Sequence, residues 1–118
     1  MKFAHVTLSV KDLEESIKFY NEIVGLPIVR RFPAGPGTEI AFLGEGDTLV
    51  ELIKNDNLDN IDLGKNISIG FAVESLDTTM EFLKEKGIEL ESGPFQPNPK
   101  TRFVFVLDPN GLKVQFIE

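Results

Sequence analysis

The chain contains no cysteine, which excludes a disulfide framework, a thiolate zinc site and a cysteine nucleophile, and agrees with a reducing cytosol. Histidine is almost as scarce, with His5 the single copy. Positive charge is in deficit: 12 Lys and Arg stand against 19 Asp and Glu, a formal net charge of −7. Phosphate backbones and anionic membrane surfaces are bound by clustered Lys and Arg, so neither nucleic acid nor a membrane is expected as a partner. Long apolar runs are missing as well. Residues 23–29 are interrupted by Gly25 and Pro27, far short of the ~18 residues that span a bilayer. Residues 1–5 hold no charged stretch leading into an apolar one, so no signal peptide is expected. What remains is a chain of 118 residues, expected in the cytoplasm, 42% hydrophobic and 26% charged, the size and composition of one ordinary globular domain.

What is present is an internal repeat. Val10, Leu13, Ile17 and Phe19 recur as Val73, Leu76, Met80 and Phe82, each pair offset by 63 residues. Leu13, Ile17, Tyr20 and Val24 fall at i, i+4, i+7 and i+11, the spacing of one helix face, and Leu76, Met80, Leu83 and Gly87 match them. Asp12 with Glu15 makes a capping-box start, Ser75 can cap the second helix, and Gly25 and Gly87 suit the left-handed residue that closes a helix. Strand-like segments precede the helices at residues 3–10 and 66–73. Three more follow each helix, at 27–32, 38–43 and 48–54 and at 88–95, 102–107 and 112–118. Loops at 33–37 and 97–100 correspond, as do turns at 44–47 and 108–111. The pattern predicts an α+β fold of duplicated βαβββ modules forming half-barrel cups. Module 1 spans residues 1–54, a linker 55–65 and module 2 66–118, in a single domain with internal pseudo-symmetry.

Alternation sorts each strand into two faces. Leu8 and Val10, Val50 and Leu52, Ile69 and Phe71, and Val114 and Phe116 fall on the helix side. The opposite face carries His5, Thr7 and Ser9, then Glu51, then Ser68 and Gly70, then Gln115. His5 matches Ser68 in the repeat, and Glu51 matches Gln115 one residue out of step. Polar groups placed in an otherwise apolar hollow need a partner, whether a network, a water, a ligand or a metal. Each residue also has a plain structural reading. A lone strand histidine usually packs and hydrogen-bonds, Glu51 fits a solvent-facing edge, and Gln115 fits a polar C-terminal strand. Arg30 and Arg31 read as solvated or paired to the acidic excess, and Phe103 and Phe105 as core or pocket wall.

The opening Phe3, Ala4, His5, the stretch Asp12 to Tyr20 followed by Gly25 and Leu26, and the closing Asp108, Pro109, Asn110, Gly111 resemble the vicinal oxygen chelate superfamily. This is the glyoxalase I, bleomycin-resistance and extradiol-dioxygenase group, and the likeness runs over the whole chain. The resemblance implies metal ligands from the first, fourth, fifth and eighth strands, here His5, Glu51, Ser68 and Gln115. The first two match the bacterial glyoxalase I pattern. Ser68 replaces a histidine and Gln115 the usual glutamate, and Ser9 stands where a glutathione-binding arginine is found in glyoxalase I.

Imidazole and carboxylate suit Mn, Fe, Co, Ni or Zn, whereas a hydroxyl is a poor ligand and an amide oxygen a modest one. The resemblance then implies His5, Glu51 and Gln115 as the ligand set, with Thr7, Ser68, Gly70, Phe103 and Phe105 expected to line the pocket. Glyoxalase-type isomerisation needs a carboxylate to shuttle a proton, which leaves Glu51 as the catalytic candidate because Gln115 cannot accept it. Extradiol dioxygenases, fosfomycin-modifying enzymes and the family's epimerases use at least two histidines per metal, more than this chain has. Three expectations follow, in this order. The first is a small-molecule binder of bleomycin-resistance type with an incomplete metal site. The second is a divalent-metal-dependent lyase or isomerase of glyoxalase type. The third is a homodimeric binding module without catalysis.

Overall fold

The computed structural model describes residues 1–118. Its elements run β1 (His5–Ser9), α1 (Leu13–Lys18) continued by a π-helical segment (Phe19–Ile23), β2 (Ile28–Pro33), β3 (Thr38–Leu43) and β4 (Leu49–Asn55). The repeat follows with β5 (Ser68–Ala72), α2 (Leu76–Glu85), β6 (Ser92–Asn98), β7 (Thr101–Leu107) and β8 (Lys113–Ile117). The βαβββ order thus occurs twice, as the repeat predicts. Two compact units result, Met1–Leu63 and Gly64–Glu118. Each holds one four-stranded mixed sheet, ordered β1-β4-β3-β2 in the first and β5-β8-β7-β6 in the second. The outer strand β1 runs parallel to β4, and β5 parallel to β8.

In the first unit Leu8 pairs with Leu52 and Leu52 with Ala41, and all three are buried. Helix α1 packs on β3 and β4 through Leu13 and Ile17, also buried. The second unit repeats the plan: α2 packs on β8, and Leu76, Leu83 and Val114 are fully buried. Each such side chain contributes roughly 1.5–3 kcal/mol of transfer free energy, and these inner faces fix which residues point the other way.

The helix starts follow the sequence. Asp12 accepts from the Glu15 N–H at 3.0 Å and Ser75 from the Thr78 N–H at 3.2 Å, satisfying N–H groups the first turn leaves unpaired. Gly87 ends α2 at φ +73°, a conformation that excludes most side chains.

Two expectations change. The first helix does not run as an unbroken α-helix: the Val24 N–H reaches the Phe19 carbonyl (3.1 Å) and the Leu26 N–H the Tyr20 carbonyl (2.9 Å). In this wider turn the adjacent Phe19 and Tyr20 are both buried, with rings edge to face at 5.1 Å. The sixth strand, expected over residues 88–95, is β6 at Ser92–Asn98. The Ile88 N–H closes the end of α2 on the Leu83 carbonyl, and the first bond toward β7 comes only from the Glu91 N–H to the Phe105 carbonyl.

Candidate functional site

Because Leu8 and Val10 face α1, alternation turns His5, Thr7 and Ser9 to the opposite side of β1. On β4 the buried Val50 and Leu52 likewise turn Glu51 to that side. The register places Thr7 directly opposite Glu51 and His5 opposite Leu49, so His5 approaches Glu51 on the diagonal. His5 Nε2 lies 3.5 Å from Glu51 Oε1, with side-chain exposures of 42% and 14%. Thr7 Oγ1 donates to the same Oε1 at 2.5 Å. Glu51 Oε2 is left without a protein partner. The histidine ring meets Phe42 edge-on, centroids 5.6 Å apart.

This donor pair fits a divalent cation. Two ligand atoms bonded at about 2.1 Å to one tetrahedral ion lie about 3.4 Å apart, close to the 3.5 Å observed. The chemistry matches as well, since imidazole nitrogen and carboxylate oxygen suit the later first-row ions. No group of three or more His, Asp or Glu side chains is placed to hold one ion.

The second unit carries the repeat mates. Gln115 on β8 pairs with Gly70 on β5, as Glu51 pairs with Thr7. A Cβ at Gly70 would sit 2.9 Å from Gln115 Oε1, so the missing side chain is what leaves room for the amide. Ser68 lies opposite Lys113, whose ammonium stands 4.9 Å over the Phe105 ring and 3.7 Å from Glu91. Phe103 and Phe105 are half-buried and form a trio with the exposed Phe95, centroids 5.4 to 6.4 Å apart. The sequence-predicted residues therefore gather as His5, Thr7 and Glu51 in one unit. In the other, Gly70, Gln115 and Phe105 share a sheet row, with Ser68 and Phe103 in adjoining rows.

Sequence reasoning missed the rest of the first row. Phe42 pairs with Glu51 and Arg30 with Phe42, so Thr7, Glu51, Phe42 and Arg30 line up across one face. The signal was the Arg30–Arg31 dipeptide: neighbours on a strand point to opposite faces, so the two arginines do different work. Arg31 turns to the helix side and pairs with Glu14 of α1 and Glu39 of β3, the latter at 2.6 Å. Its hydrogen bonds to Glu39 and Glu14 raise its pKa above the ordinary value, and the bond from Arg31 holds the Glu39 carboxyl low.

The sequence profile described as "Glyoxalase/Bleomycin resistance protein/Dioxygenase superfamily" matches residues 2–116. A protein of Synechocystis sp. named "Probable lactoylglutathione lyase" is 33% identical, the match covering all of this chain and 95% of the relative. The "Lactoylglutathione lyase" of Neisseria meningitidis is 35% identical, covering all of this chain and 91% of that protein. Among solved structures, glyoxalase I from Zea mays superposes with a TM-score of 0.86 at 28% identity, over 98% of this chain and 44% of that one. The Leishmania major glyoxalase I gives 0.85 at 22% identity over 100% and 86%, a likeness of fold.

Proposed function

The chain belongs to the Glyoxalase/Bleomycin resistance protein/Dioxygenase superfamily, and within it we propose a metal-dependent lyase of glyoxalase I type that forms S-lactoylglutathione from the adduct of 2-oxopropanal and glutathione. The observation that carries this reading is the pair of His5 and Glu51, 3.5 Å apart on the face of β1 and β4 turned away from α1. It is supported by relatives above 30% identity, named lactoylglutathione lyase and matched over nearly their full length. On that support we prefer the lyase to the non-catalytic binder favoured on sequence grounds.

His5 Nε2 and Glu51 would hold one divalent ion of the Mn, Fe, Co, Ni or Zn group. When bound, such an ion acts as a Lewis acid that draws charge from substrate oxygens. The isomerisation moves a proton between adjacent substrate carbons, and Glu51 is the group that takes and returns it, through the oxygen that Thr7 does not engage. A homodimer and a cytoplasmic location belong to the same proposal. No helix of the chain is long and apolar enough to cross a membrane.

Elemental analysis after incubation with each ion, together with formation of S-lactoylglutathione from 2-oxopropanal and glutathione, tests the reading. Wild type is expected to take up metal and turn over. His5→Ala should lose both while keeping its melting temperature within a few degrees, because His5 is partly exposed and surface changes usually cost under about 0.5 kcal/mol. Failure of every ion to bind wild type, or undiminished turnover by His5→Ala, would end it.

A further inference from the structure

The chain has three arginines, and two are neutralised: Arg31 by Glu39 at 2.6 Å and Arg102 by Asp77 at 3.1 Å. Arg30 alone has no carboxylate within ion-pairing reach, although acids outnumber bases 19 to 12. It is exposed, and its guanidinium carbon lies 4.4 Å from the centroid of the Phe42 ring. Phe42 is in turn braced by His5 at 5.6 Å and by Phe32 stacked at 6.3 Å. The cation is thus seated on a fixed aromatic platform, which restrains it without neutralising its charge. Its place is also set. The register runs Arg30, Phe42, Glu51 across consecutive strands, so the backbone of Arg30 stands two strand spacings, about 10 Å, from that of Glu51 on the same face.

We infer that Arg30 on Phe42 is an anion-anchoring site that selects ligands carrying a carboxylate about 10 Å from the end presented to His5 and Glu51. A guanidinium fork matches a carboxylate in geometry as well as charge. In a chain of net charge −7, an unpaired cation on the site face supplies local attraction that the molecule as a whole does not. The site admits an extended ligand with oxygen donors at one end and the anion at the other. An uncharged tail gains nothing there.

This inference rests on the His5–Glu51 chelating pair proposed above, and its test separates the two. Zinc-loaded protein is titrated calorimetrically with suberic monohydroxamic acid and with its methyl ester, which share the chelating end and differ only in the distal charge. Wild type is expected to bind the acid about tenfold more tightly than the ester, as one exposed charge-assisted contact provides. Arg30→Gln should bind both as wild type binds the ester. Arg30→Lys should keep part of the preference, having charge without the fork. The shorter succinic homologue should show no preference, because its carboxylate falls short of Arg30. Equal affinity of acid and ester for wild type, or an undiminished preference in Arg30→Gln, overturns the assignment and leaves the metal centre standing. A drop in mass of Arg30→Gln by light scattering also overturns it, by assigning Arg30 to a contact between copies. Failure of both acid and ester to bind removes the metal centre and this inference together.

Discussion

Thr7 shows how much of the site depends on one hydroxyl. Its Oγ1 donates to Glu51 Oε1 at 2.5 Å, a bond to a charged acceptor and so of the stronger kind. It ties down one carboxylate oxygen, the same one that His5 approaches. Thr7→Val keeps the shape and removes the donor. Such outer partners typically support metal affinity by 10- to 100-fold, so zinc titration of Thr7→Val should show a loss in that range, with Thr7→Ser restoring most of it. An unchanged affinity in Thr7→Val would mean that Glu51 orients without help. The sequence placed Thr7 on the face of His5 by simple alternation, but gave no sign that Thr7 rather than His5 stands opposite Glu51. Gly70 is parallel: the composition of β5 marked it as small, and only the structure shows that its missing Cβ makes way for Gln115.

Among the elements, the turn between β7 and β8 carries the most specific sequence signal and the most completely bonded geometry. Asp108 is 5% exposed, and its Oδ1 accepts from the Asn110 N–H at 2.8 Å and the Leu112 N–H at 2.9 Å. Gly111 supplies the left-handed residue at φ +85°. The Asp-Pro-Asn-Gly run therefore sets the register of β8 against β7 and with it the position of Gln115. Asp108→Ala leaves two N–H groups without that acceptor in a buried turn, at about 1–3 kcal/mol for each one left unsatisfied. A fall of several degrees in melting temperature is expected, and a change under one degree would show that water replaces the carboxylate freely. Elements whose signals are local, such as the caps at Asp12 and Ser75, were legible in advance. β6 was not, because residues 88–90 are apolar enough to read as strand, while the Ile88 N–H is already committed to closing α2. The π-helical turn was likewise hidden, since a spacing of 3.6 accommodates Tyr20 on the buried stripe but not Phe19 beside it.

For the whole molecule, duplication poses a question of cooperativity. Each unit has its own sheet, helix and buried core, yet units of this size bury too little surface to be robust alone. We propose that they fold as one domain. Leu52 and Leu83 are both fully buried, one in each unit, and replacing either with Ala should cost about 2–5 kcal/mol. One cooperative domain predicts that each variant lowers a single calorimetric transition. A second, unshifted transition in either variant would make the units independent. The sequence by itself determined the order of the elements and the face each strand turns to its helix, because these depend on local periodicity. Tertiary structure alone decided that Thr7 meets Glu51 across 44 residues of chain, that Phe42 and Arg30 complete their row, and that Arg31 leaves for the other face to pair with α1. Which strand residues stand opposite one another is fixed by packing among distant segments, and no short window of sequence carries that information.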